Sequence, residues 1–232
     1  MPIIYETSLK DLEKMQATFN NKKEPVFFSI PSLRSNPLEL RSLDKFDKSS
    51  LIPHIRCKNY SQEQTIEKAN LAKEMGFKKI FLVSGDTPYP HQNGLTSCQA
   101  IPYYHRLDLE VGSSLDIYAP CLRTEIEKAL EKIKSGASYL VTQVVFFSNE
   151  TEKRLLKIQH ALQDTGVKIY PCLSLLGDFE KDRHLLKKIC PSLPQEIFSG
   201  KQKIENNNKK AVDIFQRLFN SDTTYLFQVK TS

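Results

Sequence analysis

The feature that most constrains the fold is a repeated alternation of short apolar runs with amphipathic stretches. Eight short runs are wholly apolar or alternate with period two, and most are followed by a polar start signal and a helical period. This order is expected of parallel strands joined by crossover helices. The predicted strands are residues 3–6, 26–30, 51–57, 79–84, 115–119, 139–146, 168–175 and 224–229.

Several helix ends can be read from local signals. Ser61 with Gln64 forms the pattern of a capping box, and Gly76 is placed to end the same helix. Thr124 with Glu127 predicts the start of another helix. Two segments show little periodicity: residues 87–114 are predicted to be a long loop over one barrel end, and residues 199–210 a solvated connection.

Eight strands that alternate with helices favour an α/β fold of one particular kind, a closed (β/α)8 TIM barrel. Closure covers the edge strands, which an open sheet would leave exposed. Neither GxGxxG nor GxxxxGK[ST] is present, so the usual reasons to prefer an open nucleotide-binding sheet are absent. Without a composition break or repeat, residues 1–232 are predicted to form a single domain.

Composition narrows the function classes. The net charge of +6 comes from dispersed lysines and arginines, without a dense basic block or a nucleic-acid motif, so no nucleic-acid partner is predicted. No window resembles a signal peptide or a membrane span, which predicts a soluble protein without a membrane partner. The odd, dispersed cysteines argue against a disulfide framework or a zinc site and fit a reducing cytoplasm: Cys57, Cys98, Cys121, Cys172 and Cys190.

Polar residues at the ends of predicted strands are the candidates for chemistry, because the site of such a barrel lies at the C-terminal ends of its strands. Glu6 ends the first strand, His54 and Arg56 lie in the third, Asp86 follows the fourth, and Gln143 lies inside the apolar run VTQVVF. Burying such groups without a partner costs about 1 to 3 kcal/mol or more. These residues therefore need a partner or a function.

Each candidate also has a purely structural explanation. Glu6 fits an ordinary strand-end carboxylate, Asp86 a turn former, and His54 a hydrogen-bonded core histidine. His54 and Cys57 are too few for a zinc site, and no metal is predicted. Gln143 is the hardest to explain structurally, because its neutral amide suits the orientation of a polar heterocycle.

Taken together, the motifs resemble those of the methylenetetrahydrofolate reductases. PHIRC resembles the family's PHLTC, IFLVSGDTP resembles a strand ending in RGDxP, and SGASYLVTQVVF resembles AGAxxxITQxxF. YPCLSLLGDF and CPSLPQEIF resemble the later PGxxPxxxxxx and IPxxx segments. The resemblance runs in register from about residue 50 to the last strand. These segments are residues 53–57, 80–88, 135–146, 170–179 and 190–198.

The resemblance implies a cytoplasmic flavoprotein of one-carbon metabolism and methionine biosynthesis. Such an oxidoreductase binds FAD at the strand C-termini and passes a hydride from NAD(P)H through the flavin to methylenetetrahydrofolate, giving methyltetrahydrofolate. The partner implied is the folate substrate, and a homo-oligomer is left open.

Site residues follow from the resemblance position by position. Glu6 matches the general acid that protonates the folate, and such a role needs a raised pKa. Asp86 matches the aspartate beside the flavin's pyrimidine edge, which also contacts the pterin. Gln143 matches the glutamine that contacts folate and nicotinamide in turn. His54 matches a histidine near the flavin and Lys132 a lysine near the FAD phosphates. Leu175 to Phe179 would lie in the loop that covers the substrate.

Two departures from the family concern the cofactor. The loop after the fifth strand, which in the family wraps the FAD ribose and phosphates, has only Ala119 and Pro120 here and reaches its helix early. Ser84 stands in place of the arginine before GD, and Arg56 in place of the threonine after the histidine. We hypothesise that Arg56 replaces the lost arginine near the flavin or a phosphate.

Three functions therefore stand open from the sequence. The first is the flavin-dependent reductase, and the second is an enzyme that binds flavin weakly or uses another hydride carrier. The third is a divergent folate-binding or partner-associated paralogue without FAD and without turnover. Glu6, Asp86 and Gln143 favour a working enzyme, because a pure binding protein needs no acid beside a hydride acceptor.

Overall fold

A computed structural model of the chain describes residues 2–19, 25–32, 37–85, 93–176, 201–221 and 223–229. Within these ranges eight strands and six α-helices follow one another. The strands are β1 (Ile3–Glu6), β2 (Val26–Ile30), β3 (Leu51–Arg56), β4 (Lys79–Val83), β5 (Glu110–Leu115), β6 (Tyr139–Val144), β7 (Lys168–Leu176) and β8 (Thr224–Val229). The helices are α1 (Leu9–Phe19), α2 (Gln62–Glu74), α3 (Ser97–His105), α4 (Leu122–Lys134), α5 (Asn149–Leu162) and α6 (Lys201–Phe219).

The strands form a closed parallel barrel in sequence order. Each strand pairs with the next, and β1 closes the barrel by pairing with β8, with Glu6 opposite both Ser29 and Phe227. The predicted (β/α)8 TIM barrel is therefore confirmed. All the strand C-termini point to one end of the barrel, which is where this fold places its functional residues.

Two apolar layers hold the barrel together. The interior is unusually aromatic, since the rings of Phe81, Tyr139, Tyr170 and Tyr225 meet at centroid distances of 5.4 to 6.4 Å. The outer faces of the strands pack against the helices through aliphatic side chains, which is the usual arrangement of the fold. The interior is thus a packed core below the C-terminal ends of the strands.

The predicted helix ends are confirmed in part. Ser61 and Gln64 form a complete capping box, and Gly76 follows the helix with φ +84, a conformation that favours glycine. The predicted start of α4 was three residues late, because the N-cap is Cys121 and not Thr124, and Cys121 makes no side-chain capping hydrogen bond. A capping pattern inside a helix therefore misplaced its start.

The fifth strand and the preceding loop were predicted wrongly. Strand β5 is Glu110–Leu115 and not residues 115–119, and α3 lies within the segment predicted to be a loop. Strand β5 was not predicted, because Gly112 and the two serines after it have low strand propensity. The structure requires glycine there, because a Cβ on Gly112 would lie 2.2 Å from the ring of Tyr139. Proline is unfavourable inside a helix, so Pro102 led to the prediction of a loop where α3 lies.

The predicted solvated connection at residues 199–210 was also wrong, because residues 201–210 belong to α6. Its buried stripe runs through Ile204, Asn207, Ala211 and Phe215. Asn207 lies where an apolar residue is expected, so the polar run around it masked the helical period. Its amide is used instead to bind the end of β6.

Within the described ranges, none of the helices is both long and apolar enough to cross a membrane. The four cysteines in the same ranges are free thiols. Cys190 lies outside the described residues.

Candidate functional site

The C-terminal end of the barrel holds a chain of four hydrogen-bonding side chains. The Tyr225 hydroxyl lies 2.6 Å from Oε2 of Glu6 and 2.8 Å from Oγ of Ser29. Ser29 Oγ lies 2.6 Å from Nε2 of His54, and the Tyr225 hydroxyl lies 3.3 Å from the same nitrogen. Strands β1, β2, β3 and β8 each contribute one side chain, so the barrel closure between β1 and β8 brings together residues distant in sequence.

Burial sets the charge states in this group. It raises the pKa of Glu6 to about 7, against which the hydrogen bond from Tyr225 acts in the opposite direction. It also lowers the pKa of His54 to about 3. Near neutral pH, His54 is therefore uncharged and Glu6 is divided between acid and carboxylate. Glu6 as a whole residue is half-buried, and it lies at the end of β1.

The two shifted groups predict an unusual pH dependence of stability. The raised Glu6 pKa contributes stability below its ordinary value of 4.5 that is lost as pH rises toward 7. The lowered His54 pKa contributes stability above 6.5 that is lost as pH falls toward 3. Between pH 4.5 and 6.5 the two slopes oppose each other, so the wild-type free energy of unfolding should vary little on their account.

We expect Glu6→Gln to expose the His54 slope, with stability rising by up to ~1.4 kcal/mol per pH unit across that window. His54→Gln should show the opposite slope. Urea unfolding followed by circular dichroism measures both. Identical pH profiles for the wild type and the two variants would contradict the assigned charge states.

Gln143 lies at a β-bulge near the end of β6. The pairing register between β6 and β7 shifts there, since Val141 pairs with Tyr170 but Val144 pairs with Cys172. The hydroxyl of Thr142 accepts the Cys172 amide at 3.1 Å and so replaces a backbone acceptor of the ladder. Bulges of this kind change the direction of a side chain beside a functional site. Within the described residues, the half-buried amide of Gln143 forms no side-chain hydrogen bond.

Side chains from two other elements fix the backbone just after Gln143. The Tyr118 hydroxyl accepts the Phe146 amide at 2.7 Å and lies 3.2 Å from the Val144 carbonyl. Asn207 of α6 donates to the Val145 carbonyl at 2.9 Å and accepts the Phe147 amide. The end of β6 is therefore held rigidly, which keeps Gln143 at the barrel end.

Arg56 ends β3 and is buried, with 7% of its surface exposed. Its guanidinium packs against Gly85, whose φ is +99 and on which a Cβ would lie 3.3 Å from Nη2 of Arg56. Ser84, the residue in place of the family's arginine, accepts the amide of Ser97 at the start of α3. Among the described residues, Arg56 of β3 thus brings a positive charge to this end of the barrel, and its role toward a ligand stays a prediction.

Two further candidates lie between the barrel and the helices. The ammonium group of Lys132 is buried and donates to the Ser114 carbonyl at 2.6 Å. Burial lowers its pKa, and the nearby Glu125 acts in the opposite direction. Ala119 is buried in the turn after β5, and its carbonyl accepts a hydrogen bond from Arg154.

The structure describes the remaining predicted residues only in part. Asp86 and Phe179 lie outside the described residues. Leu175 belongs to β7, where its backbone is paired with that of Gln228. The structure therefore links Glu6 to His54 through Tyr225 and Ser29 and places Gln143 and Arg56 at the same barrel end.

Sequence reasoning missed Ser29 and Tyr225, which complete the hydrogen-bonded group. Ser29 carried a usable signal, because it is the one hydroxyl in the otherwise apolar strand VFFSI. Tyr225 carried none, since a tyrosine in a strand is more often part of an apolar core. Only the pairing of β1 with β8 brings it to Glu6.

A cavity of about 470 Å3 lies at the opposite end of the barrel. It is enclosed by the C-terminal ends of α5 and α6 and by the first residues of β7. Its lining includes Gln159, Lys168 and Arg217 and none of the predicted site residues. Arg217 already forms an ion pair with Glu152 at 3.0 Å.

Comparison with known proteins adds an independent observation. No protein-family model matches the chain. A probable methylenetetrahydrofolate reductase (NADPH) from Caenorhabditis elegans is 21% identical over 194 residues, which is 73% of this chain and 28% of that protein. The resemblance to the methylenetetrahydrofolate reductases is confirmed. The chain spans just over a quarter of the length of this methylenetetrahydrofolate reductase relative.

Solved structures support the fold assignment. An uncharacterized protein from Clostridium thermocellum that binds two copies of 5-methyl-5,6,7,8-tetrahydrofolic acid superposes with a TM-score of 0.70 at 16% identity, covering 99% of this chain and 89% of that one. A tryptophan synthase α-subunit from Pyrococcus furiosus superposes with a TM-score of 0.52 at 10% identity, covering 97% and 86%. Methylenetetrahydrofolate reductase is thus a family that this chain resembles in sequence, and the barrel is common to all these proteins.

Proposed function

We propose that the chain binds a reduced folate at the C-terminal end of its barrel and reduces methylenetetrahydrofolate to methyltetrahydrofolate with a hydride from NAD(P)H. The observation that carries this proposal is the half-buried Glu6 carboxyl group, held at 2.6 Å by Tyr225 in a chain that resembles methylenetetrahydrofolate reductase. The folate bound by the Clostridium thermocellum protein supports the ligand class.

The chemistry requires one proton and one hydride. Protonation of the bridging nitrogen by Glu6 opens the methylene bridge to an iminium, and hydride addition to the iminium carbon gives the methyl group. A pKa of about 7 keeps much of Glu6 protonated near neutral pH, which suits a general acid. After the transfer, the Tyr225 hydroxyl can donate to the new carboxylate.

Ser29 and His54 can stabilise both protonation states of Glu6 through their hydrogen bonds. Neutral His54 can accept a hydrogen bond from Ser29 in one tautomer or donate one in the other. When Glu6 is an acid, the Tyr225 hydroxyl can donate to Ser29 and the Ser29 hydroxyl to His54; when Glu6 is a carboxylate, Tyr225 can donate to Glu6 and Ser29 to the Tyr225 oxygen. This reorientation stabilises both states of Glu6 without burying a net positive charge on His54.

Gln143 supports recognition of the pterin. Its amide offers two donors and one acceptor and forms no side-chain hydrogen bond to the described residues, while Tyr118 and Asn207 hold the adjoining backbone. A neutral amide in this position matches the mixed donors and acceptors of a pterin edge. Replacing Gln143 should therefore weaken folate binding more than it lowers the free energy of unfolding.

Calorimetric titration of the full chain with 5-formyltetrahydrofolate, a stable reduced folate, tests the proposal. We expect saturable binding, and we expect Gln143→Ala to weaken it by about tenfold or more, as the loss of one or two buried hydrogen bonds predicts. Gln159→Ala, a glutamine at the opposite barrel end, is the matched control and should bind like the wild type. Equal affinities of all three proteins would place the ligand elsewhere, and no binding by the wild type would contradict the proposal.

A further inference from the structure

We propose that residues 116–121, here called the strap, close the adenosine side of the site, so that the chain binds reduced folate without retaining FAD. The inference rests on the proposed function for the identity of its ligand. It concerns the adenosine and diphosphate half of FAD, which the resemblance places against the loop after β5 and against Lys132.

The strap is held at both of its faces by charged and hydroxyl side chains. Arg154 of α5 donates through Nε to the Ile117 carbonyl at 2.7 Å and through Nη2 to the Ala119 carbonyl. The hydroxyl of Tyr118, from the strap itself, accepts the Phe146 amide of the β6 end. Hydrogen bonds therefore hold the strap against α5 and against the end of β6. The strap could wrap around a nucleotide only if these hydrogen bonds broke.

The strap also uses its own amides internally. The Asp116 amide donates to Oε1 of Glu125 at 3.0 Å, and the Tyr118 amide donates to Oδ1 of Asp116 at 2.9 Å. The Ala119 amide donates to the Asp116 carbonyl at 3.2 Å. A diphosphate needs donors of this kind, and here two carboxylates already occupy the place of the anion.

Lys132, the residue that matches the FAD-phosphate lysine, is engaged in the same way. It is 6% exposed, and its ammonium group donates to the Ser114 carbonyl beneath the strap. Glu125 is similarly buried and lies close enough to favour the charged form of Lys132. Lys132 is thus stabilised in its charged form by a nearby buried carboxylate, and a diphosphate would have to displace it from the Ser114 carbonyl.

Lys132 and the strap amides of Asp116, Tyr118 and Ala119 are therefore bound within the protein. In contrast, the Gln143 amide forms no side-chain hydrogen bond to the described residues, and Glu6 ends β1 at the same end of the barrel. The loop after β5 and Lys132 therefore do not fit the diphosphate half of FAD, and Arg154 contributes to this by fixing the strap.

Calorimetric titration of the purified full chain with FAD, FMN and 5-formyltetrahydrofolate tests this inference. We expect a colourless protein that binds the folate and shows no saturable heat with FAD, or that binds FAD at least about tenfold more weakly than FMN. FMN carries the same isoalloxazine without the adenosine, so the pair isolates the half of FAD that the strap excludes. Hydrogen exchange of residues 116–121 should be slow and unchanged by FAD.

Protein that purifies with stoichiometric FAD, or that binds FAD as tightly as FMN, would overturn the inference. Faster exchange of the strap on FAD addition, together with saturable binding, would do the same, because it would show that the strap opens. The proposed function is read from the folate titration in the same series. If the chain binds no folate, the proposed function is contradicted. The comparison of FAD with FMN still tests the strap in that case.

Discussion

Replacing Glu6 by Gln is expected to lower the rate of methylenetetrahydrofolate reduction by about 10²- to 10⁴-fold, the contribution of a positioned general acid. The amide keeps the size of the side chain and can still accept a hydrogen bond from Tyr225, but it has no acidic proton to transfer to the folate. Affinity for 5-formyltetrahydrofolate should stay close to that of the wild type. Turnover is measured by NAD(P)H absorbance with methylenetetrahydrofolate, and affinity by calorimetry.

Tyr225→Phe provides the matched control for this acid role. The hydrogen bond from Tyr225 lowers the pKa of Glu6, so its removal should raise that pKa further and move the alkaline limb of the pH–rate profile upward. The wild-type limb should fall near pH 7, where Glu6 ionises. Full activity of Glu6→Gln, or an equal loss of turnover and folate affinity, would contradict the acid role. Folate binding without turnover in the wild type would instead favour the folate-binding paralogue.

Gly112→Ala is expected to destabilise the barrel by about 3 kcal/mol or more, among the largest effects of a single methyl group. The added Cβ would lie 2.2 Å from Cε2 and Cζ of Tyr139, a ring enclosed by Phe81 and Tyr170 that has no space to move into. Urea unfolding followed by circular dichroism gives the free energy. A soluble but unfolded variant would agree with the prediction.

Two further variants separate the steric clash from the general cost of replacing glycine. Gly166→Ala adds a methyl group at φ +69 with nothing within 4 Å, so it should cost only about 1 to 2 kcal/mol of backbone strain. The double variant Gly112→Ala/Tyr139→Leu removes the ring atoms that clash and should recover part of the loss. A Gly112→Ala protein as stable as Gly166→Ala would show that the interior tolerates the extra volume.

Much of the fold was predictable because it depends on local patterns. The apolar runs at Val26–Ile30 and Lys79–Val83 can pack only as buried strands, and the capping box at Ser61 is a local signal that the structure reproduces. Strand β5 was not predictable in this way, because Gly112 is selected by the ring of Tyr139 on a neighbouring strand. Asn207 similarly follows a tertiary requirement and interrupts the helical pattern of α6.

The candidate site also contains residues that the sequence could identify and residues that it could not. Glu6, His54 and Gln143 could be singled out because polar groups in buried strands need an explanation, and the structure places all three at one barrel end. Tyr225 could not, since its contact with Glu6 exists only once β8 closes on β1. The hydrogen bond from Lys132 to the Ser114 carbonyl was equally unpredictable, because it depends on how α4 packs against β5.

Hydrogen exchange in the presence and absence of 5-formyltetrahydrofolate tests most directly whether the ligand binds at the C-terminal end of the barrel. Amide exchange reports local opening, so a bound ligand slows it near the contacts. We predict slower exchange at the ends of β1, β3 and β6 and no change at residues 159–170 and 217–221, which enclose the cavity at the opposite end. Slower exchange confined to that cavity, or no change anywhere in a saturated sample, would contradict the assignment of this barrel end as a folate site.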